Sequence, residues 1–250
     1  MAAVASSEAL TSLNPICLYD GDETPPVLEW LLKQGVKVHR THVPFRDELF
    51  SDRVLEANKG TPYHPAHASG AFLRLISGDF VDGEYYLYTD CDIMFLRNPE
   101  KFFCNPELIA AAPEIIENAR VSTNNIGFNS GVMIVNRKSF SSMYDLFVDT
   151  LRENIFYFKA HTSYDQSMLN SVLREKWFRL PPQLNWRPFQ GPSEEAAILH
   201  FHGPKPHRIS EILHGRALDY EHRDIVPLVL AHRQHYEHFL AKFNGFVGTS

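Results

Sequence analysis

Two carboxylates stand between two apolar runs in the stretch from Glu84 to Leu96, which reads Glu-Tyr-Tyr-Leu-Tyr-Thr-Asp-Cys-Asp-Ile-Met-Phe-Leu. Tyr85 to Tyr88 has the aromatic and aliphatic content of a strand buried on both faces, and Ile93 to Leu96 is a second apolar run. Asp90 and Asp92 therefore fall at the C-terminal end of a strand, where open α/β sheets bind their ligands. A pleated strand points alternate side chains the same way, so the pair can converge on one cation while Cys91 turns elsewhere. Leaving both carboxylates between apolar strands with no neutralising partner would be costly. The plainer alternative is a solvated turn with Asp in turn positions.

The flanking sequence supplies an α/β framework for that strand. Ala2 to Leu13 is Ala-rich and predicts a short helix, and Pro15 to Tyr19 a buried strand closed by Asp20-Gly21. Pro25 and Pro26 open a helix through Leu28, Leu31 and Leu32 that Gly35 ends. Val36 to Val43 is the next strand, so strand, helix, strand begins a parallel α/β sheet. Phe45 to Tyr63 predicts a helix and a loop. Ala66 to Ile76 predicts a helix with Ala68, Phe72, Leu75 and Ile76 on its apolar face and Arg74 off it. Beyond the carboxylates, Leu108 to Ala112 and Gly127 to Asn136 read as strands joined by a polar connection, Glu114 to Asn125. Ser139 to Asn154 and Ser163 to Leu173 read as helices, the second with Ser163 as N-cap and Met168, Leu169 and Val172 inward. Phe178 to Leu180 leads into a Pro-rich loop carrying Asn185, Trp186 and Arg187, and Ala196 to His200 is the last strand. Helices at Ile209 to Leu213 and Ile225 to Phe243 finish the chain. The expectation is one catalytic α/β domain over residues 1–206, with 207–250 as a helical extension packed on it.

Composition removes several function classes. A net charge of −6, with no block of like charge, argues against a general nucleic-acid binder. No uninterrupted run of about 20 apolar residues exists to span a membrane, and Met1 to Asn14 lacks the basic and apolar regions of a signal peptide. The three cysteines, Cys17, Cys91 and Cys104, are too few and too scattered for a disulfide framework or a zinc site. Cys17 and Cys91 read as small buried hydrophobes. A reducing, cytoplasmic setting fits, either free or peripheral at a membrane.

Several other residues carry chemistry. His200 ends an apolar strand and can add an imidazole to Asp90 and Asp92, a set suited to Mn²⁺ or Mg²⁺ with positions open for phosphate oxygens. His202, two residues on, competes for that role, and with 13 histidines in the chain most must be structural or exposed. Lys205 follows Gly203-Pro204 and can bring an ammonium to a diphosphate; otherwise it is solvated. Arg74 suits a phosphate or a sugar hydroxyl, or a surface ion pair. Asn129 and Gln166 are neutral hydrogen-bonders of the kind that read sugar hydroxyls. Asp165, at a helix start, can instead complement the helix dipole. Trp186, Arg187 and the His-rich last helix are assigned to an acceptor side.

Taken together, these segments resemble the glycogenin-like retaining glycosyltransferases of the GT-A fold. The resemblance rests on Ala68-Ser69-Gly70-Ala71-Phe72-Leu73-Arg74, Leu87-Tyr88-Thr89-Asp90-Cys91-Asp92, Phe128-Asn129-Ser130-Gly131-Val132, Tyr164-Asp165-Gln166 with Leu169-Asn170, and His200-Phe201-His202-Gly203-Pro204-Lys205-Pro206. They run in the family's order from about Ser69 to Pro206. The resemblance implies a mixed sheet flanked by helices, and transfer of a hexose from a nucleotide-diphosphate sugar, usually UDP-linked, to a saccharide or glycoconjugate with retention. It implies Asp90, Asp92 and His200 as ligands of Mn²⁺ or Mg²⁺. Arg74, Asp90, Asn129, Ser130, Gly131, Gly203 and Lys205 would bind the donor, and Asp165 and Gln166 would be catalytic, with Gln166 near the anomeric carbon. No second carboxylate is placed as a covalent nucleophile, so a same-face internal-return displacement is the expected mechanism.

The chain departs from the family pattern twice. The family's opening nucleotide-binding strand has no counterpart in Met1 to Asn14, and Pro15 to Tyr19 corresponds to the family's second strand. In the last motif Pro204 alone separates Gly203 from Lys205, and His207 follows Pro206. A degenerate domain that binds without turnover, and a sugar-nucleotide hydrolase, are the competing readings.

Overall fold

Local chemistry sets the first elements. The Ala-rich start is a helix, Ala2–Leu10, and strands β1 (Ile16–Tyr19) and β2 (Lys37–Arg40) pair in parallel around the intervening helix Pro26–Lys33. Pro26 sits at the first helical position, where its fixed φ is already helical and its missing N–H has no intrahelical partner to lose. The structure is a computed structural model describing residues 1–114, 127–159, 163–216 and 225–248. Most of the expected polar connection Glu114 to Asn125 therefore lies outside the described residues.

The centre is a mixed four-stranded sheet of order β3-β6-β5-β7, made of β3 (Tyr85–Thr89), β5 (Ile109–Pro113), β6 (Phe128–Asn136) and β7 (Trp177–Arg179). The β3–β6 and β6–β5 pairs are antiparallel and β5–β7 is parallel. A second ladder pairs β4 (Ile93–Phe95) antiparallel with β8 (Ile198–His200), so Ile93 faces His200. The opening parallel pair is thus not continued into one parallel sheet. β6 carries the longest apolar run and is buried from Phe128 to Val135, as a central strand covered on both faces must be. β3 is half-buried along its whole length, not buried on both faces as its composition suggests.

One core cluster packs the central sheet against the helices, with Phe72, Phe128, Met133, Phe147, Met168 and Leu169 fully buried. Another joins Met94, Leu199 and Phe201 to the C-terminal helices Pro206–Leu213, Ile225–Ala231 and Arg233–Val247. Several expected helices are divided. Arg46–Leu49 and Asp52–Ala57 replace one helix, and Arg137–Ser141 and Tyr144–Glu153 replace another. The expected helix from Ala66 to Ile76 runs as an α-helix only over Pro65–Phe72 and tightens to 3₁₀ geometry over Leu73–Phe80. That change of pitch turns Arg74 inward, leaving it 5% exposed, so it is neither off the packed face nor a surface residue. The expected helix from Ser163 spans Asp165–Leu173, and the Ser163 hydroxyl accepts the Ser167 N–H at 3.2 Å. Val172 is only partly buried.

Cys91 is exposed and Cys17 partly buried, against the expectation that both are core. Among the described residues, no helix is long and apolar enough to cross a membrane.

Candidate active site

The site forms at the C-terminal ends of β3 and β8, beside the first residues of β6. The Asp90 N–H donates to the Gly131 carbonyl at 2.8 Å, which extends the β3–β6 ladder one residue past β3. The chain then turns tightly through Cys91 and Asp92, and the Phe201 N–H donates to the Asp92 carbonyl at 2.9 Å. The two carboxylates thus meet across a turn between two ladders, not by alternation along one pleated strand as the spacing suggested. They converge all the same: oxygens of Asp90 and Asp92 and a ring nitrogen of His200 lie within 4.8 Å of one another. His202 is exposed, its ring centroid 5.5 Å from that of His200, and is not part of this set.

Close approach at this point depends on Gly131. A Cβ there would overlap Cε1 of His200 and stand 2.9 Å from Oδ2 of Asp90, so only glycine lets β6 pass beneath both.

Around the acidic pair stand the chain's own cations. Arg74 donates to Asp90 Oδ1 at 2.8 Å and to the Ser130 carbonyl at 3.0 Å, and pairs with Asp165 Oδ2 at 2.7 Å. Its guanidinium lies 4.7 Å from the centroid of the Tyr88 ring, whose hydroxyl donates to Asp90 Oδ1 at 3.1 Å. Burial alone would lower the Arg74 pKa; Asp165, Tyr88 and Asp90 outweigh it and push the value up. Burial pushes the Asp165 carboxyl up, with Arg74 opposing. His200 Nε2 lies 3.3 Å from Asp92 Oδ1, and the Lys205 ammonium donates to Asp92 Oδ2. Burial would raise the Asp92 pKa, but His200 and Lys205 together hold it well below the usual carboxylate range.

Beside the acidic pair is a web of amides. The Gly131 N–H donates to Asn129 Oδ1 at 3.1 Å, which fixes the orientation of that amide. Asn129 Nδ2 then donates to Gln166 Oε1 at 2.9 Å and to Glu114 Oε2 at 3.1 Å. Gln166 Nε2 also donates to Glu114 Oε2, at 2.9 Å, and the Ser130 N–H donates to Gln166 Oε1 at 3.2 Å. The structure therefore brings together Arg74, Asp90, Asp92, Asn129, Ser130, Gly131, Asp165, Gln166, His200 and Lys205. Gly203 bends the loop between His200 and Lys205 with φ at +100°, which favours glycine.

Three more side chains join this web, two of which, Glu114 and Asn185, carry no expected site role in the sequence. Glu114 follows β5 directly, the same strand-end position that marked Asp90, and the polar residues after it hid that signal. Asn185 donates from Nδ2 to Asn129 Oδ1 at 2.9 Å. Arg187, assigned by its sequence to an acceptor side, is 1% exposed, with Nη1 2.7 Å from His200 Nδ1 and Nη2 3.3 Å from Glu114 Oε1. Burial lowers its pKa, and Glu114 opposes that. Both residues come inward because Trp186 runs alongside β8, its carbonyl accepting the His200 N–H at 2.8 Å.

Comparison with solved structures gives the fold a name. The glycosyltransferase GlyE of Streptococcus pneumoniae TIGR4 superposes with a TM-score of 0.59 at 18% identity, over 96% of this chain and 60% of that one. The galactosyltransferase LgtC, solved with donor and acceptor sugar analogues, gives 0.59 at 16% identity, over 82% of this chain and 83% of that one. This is the GT-A glycosyltransferase fold.

Sequence comparison finds proteins named as glycosyltransferases among the relatives. A probable glycosyl transferase, Gly, of Streptococcus gordonii is 28% identical over 167 residues, 61% of this chain and 22% of that protein. The general stress protein A of Bacillus subtilis is 24% identical over 174 residues, 63% of this chain and 56% of that protein. The GT-A chain thus spans well under two thirds of the length of these relatives. No protein-family model matches it.

Proposed function

We propose that this chain is a metal-dependent glycosyltransferase that moves a hexose from a nucleotide-diphosphate sugar, a UDP-sugar in the first instance, to a saccharide or glycoconjugate acceptor with retention. The observation that carries the reading is the donor set of Asp90, Asp92 and His200 at the strand ends, with ligand atoms within 4.8 Å and an amide and carboxylate web adjoining it. Two carboxylates and an imidazole are a fitting set for Mn²⁺ or Mg²⁺. When bound, such an ion supplies Lewis-acid stabilisation of the charge that develops on a leaving diphosphate.

The chain's own groups have separable parts in this reading. Lys205, tethered two residues beyond Gly203, adds a positive charge to the same leaving group once it is drawn off Asp92. Arg74 holds Asp90 and Asp165 in place from beneath. Asn129, Asp165, Gln166 and Glu114 present hydrogen-bonding atoms to the sugar, with Gln166 fixed by partners on both its oxygen and its nitrogen. The acceptor oxygen attacks from the face that the diphosphate leaves, and the proton it loses is taken up by the departing phosphate. Residues 1–206 form the catalytic domain of this proposal and 207–250 its extension. Three free cysteines suit a reducing, cytoplasmic compartment.

The test is the thermal unfolding midpoint with UDP, with Mn²⁺ and with both. A ligand at about 100 times its Kd adds about 2.7 kcal/mol of stability. A clear upward shift that needs both ligands is expected; no shift with both present, in folded protein, would sink the donor and metal assignment. A second reading, binding without turnover, draws on the cations already seated on Asp90 and Asp92. A sample that shifts with UDP and Mn²⁺ yet neither transfers nor hydrolyses any UDP-hexose would favour it.

A further inference from the structure

Arg187 is in an unusual position for a group next to a candidate metal-binding histidine. It is among the largest fully buried side chains, and its Nε is buried with no hydrogen-bond partner. A buried guanidinium with an orphaned donor is costly, so its presence here calls for a reason beyond packing.

The hydrogen-bond web fixes what surrounds His200. Asn129 Oδ1 accepts from the Gly131 N–H, so it is an oxygen, and Asn185 must present Nδ2 to it. That leaves Asn185 Oδ1, an acceptor, 2.9 Å from His200 Nδ1. Arg187 Nη1, which can only donate, lies 2.7 Å from the same nitrogen. One ring nitrogen therefore faces an acceptor and a donor, and it can satisfy one of them at a time.

The two choices have opposite consequences. With the proton on Nδ1, the ring donates to Asn185, and Nε2 presents its lone pair towards Asp92. That is the arrangement of metal-binding histidines, whose second ring nitrogen donates to an acceptor. With the proton on Nε2, Arg187 donates to Nδ1, and Nε2 has no lone pair for a cation. No net charge changes between the two forms.

We propose that Arg187 is a positioning residue that holds down the affinity of the Asp90, Asp92 and His200 site for a divalent ion. It does so by favouring the non-ligating form of His200 and by placing a fixed positive charge behind it. The negative charge of a nucleotide diphosphate offsets that repulsion, so ion and nucleotide bind as a pair and the ion alone binds weakly. This rests on the metal assignment of the preceding section.

The experiment is calorimetric titration of the full chain with MnCl₂, with and without saturating UDP, for the wild type, Arg187→Met and Arg187→Lys. Removing a unit charge a few ångströms from the ion is expected to tighten binding of Mn²⁺ alone by at least about tenfold in Arg187→Met. Arg187→Lys, which keeps the charge, is expected to stay within a few-fold of wild type. Arg187→Met that is folded by circular dichroism and binds Mn²⁺ no better than wild type, or worse, overturns the proposal.

Should Arg187→Met fail to fold because Glu114 is left unpaired, Arg187→Met/Glu114→Gln takes its place; it removes a cation and an anion together, so a smaller gain, from leaving His200 Nδ1 to Asn185 alone, is expected, and Mn²⁺ binding no tighter than wild type is decisive against the proposal. A wild type that binds no Mn²⁺ even with UDP, alongside Arg187→Met that binds Mn²⁺ alone, would support the role of Arg187 and sink the donor reading. No Mn²⁺ binding by any of these proteins would overturn both.

Discussion

Two clusters in this protein put an Asp, a His and an Arg together at the end of a strand, and they are built in opposite ways. At the end of β1, Asp20 has a side chain that is 6% exposed and meets His42 Nδ1 at 2.7 Å and Arg46 Nε at 3.2 Å, both of them on solvent-facing side chains. One carboxylate is answered by two wet partners, and no buried donor of the trio is left without a partner. At the ends of β3 and β8, Asp90, Asp92, Glu114 and Asp165 are answered by Arg74, Arg187 and Lys205, and two of those cations are buried. There one histidine nitrogen has two rival partners, and an arginine donor has none. The first cluster is complete as a clasp between β1 and the segment after β2. The second gathers four carboxylates, three cations and an orphaned arginine donor in one place, and that is the ground on which we propose a ligand site there.

The widest expected gap between them lies in stability. Arg74→Ala leaves Asp90 and Asp165 facing each other without their shared cation, and unfolding free energy is expected to fall by about 3–5 kcal/mol in a urea titration. A loss under 1 kcal/mol would place the central ion pairs in the same class as the peripheral ones.

Next comes ligand response. Asp92→Ala is expected to abolish the Mn²⁺-dependent stabilisation by UDP, a loss of about 2.7 kcal/mol at 100 times the Kd, with the fold retained by circular dichroism. An undiminished shift in that variant would remove Asp92 from the metal assignment.

The smallest effect belongs to the clasp. Asp20→Asn is expected to cost no more than about 1 kcal/mol, as partly exposed ion pairs do, and to leave the response to UDP and Mn²⁺ unchanged. Its signature is in pH. Burial pushes the Asp20 carboxyl up, while Ser69, His42 and Arg46 outweigh it and hold the folded value below the ordinary range. A depressed folded pKa contributes stability that is present above the unfolded value, near 3.9, and is lost as pH falls through the folded value. Stability curves for the wild type and Asp20→Asn should therefore differ at pH 6 and converge below pH 4. Curves that stay parallel down to pH 2 would show that Asp20 does not act through its charge.

Much of the candidate site is legible in the sequence because short apolar runs announce strands, and strand ends are where α/β sheets bind ligands. Asp90, Asp92, Asn129 and His200 each stand at or beside such an end. Arg74 is legible as a residue that carries chemistry, but its place in space is not. A regular α-helix puts it off the apolar face, and the switch to 3₁₀ pitch after Phe72 turns it in. The sequence around Cys91 reads as strand and so places it in the core, whereas it occupies an exposed turn.

The sequence by itself determined that this is an α/β chain with an acidic pair between apolar strands, because hydrophobic periodicity and turn chemistry are local properties of a few adjacent residues. Only the tertiary structure decided that Glu114, Asn185 and Arg187 belong with that pair. They come from positions separated by up to 73 residues, and their neighbours are set by which strands lie side by side. The conflict at His200 is of the same kind. Composition cannot show that one ring nitrogen lies between a carbonyl oxygen and a guanidinium, because that follows from distances that packing alone fixes.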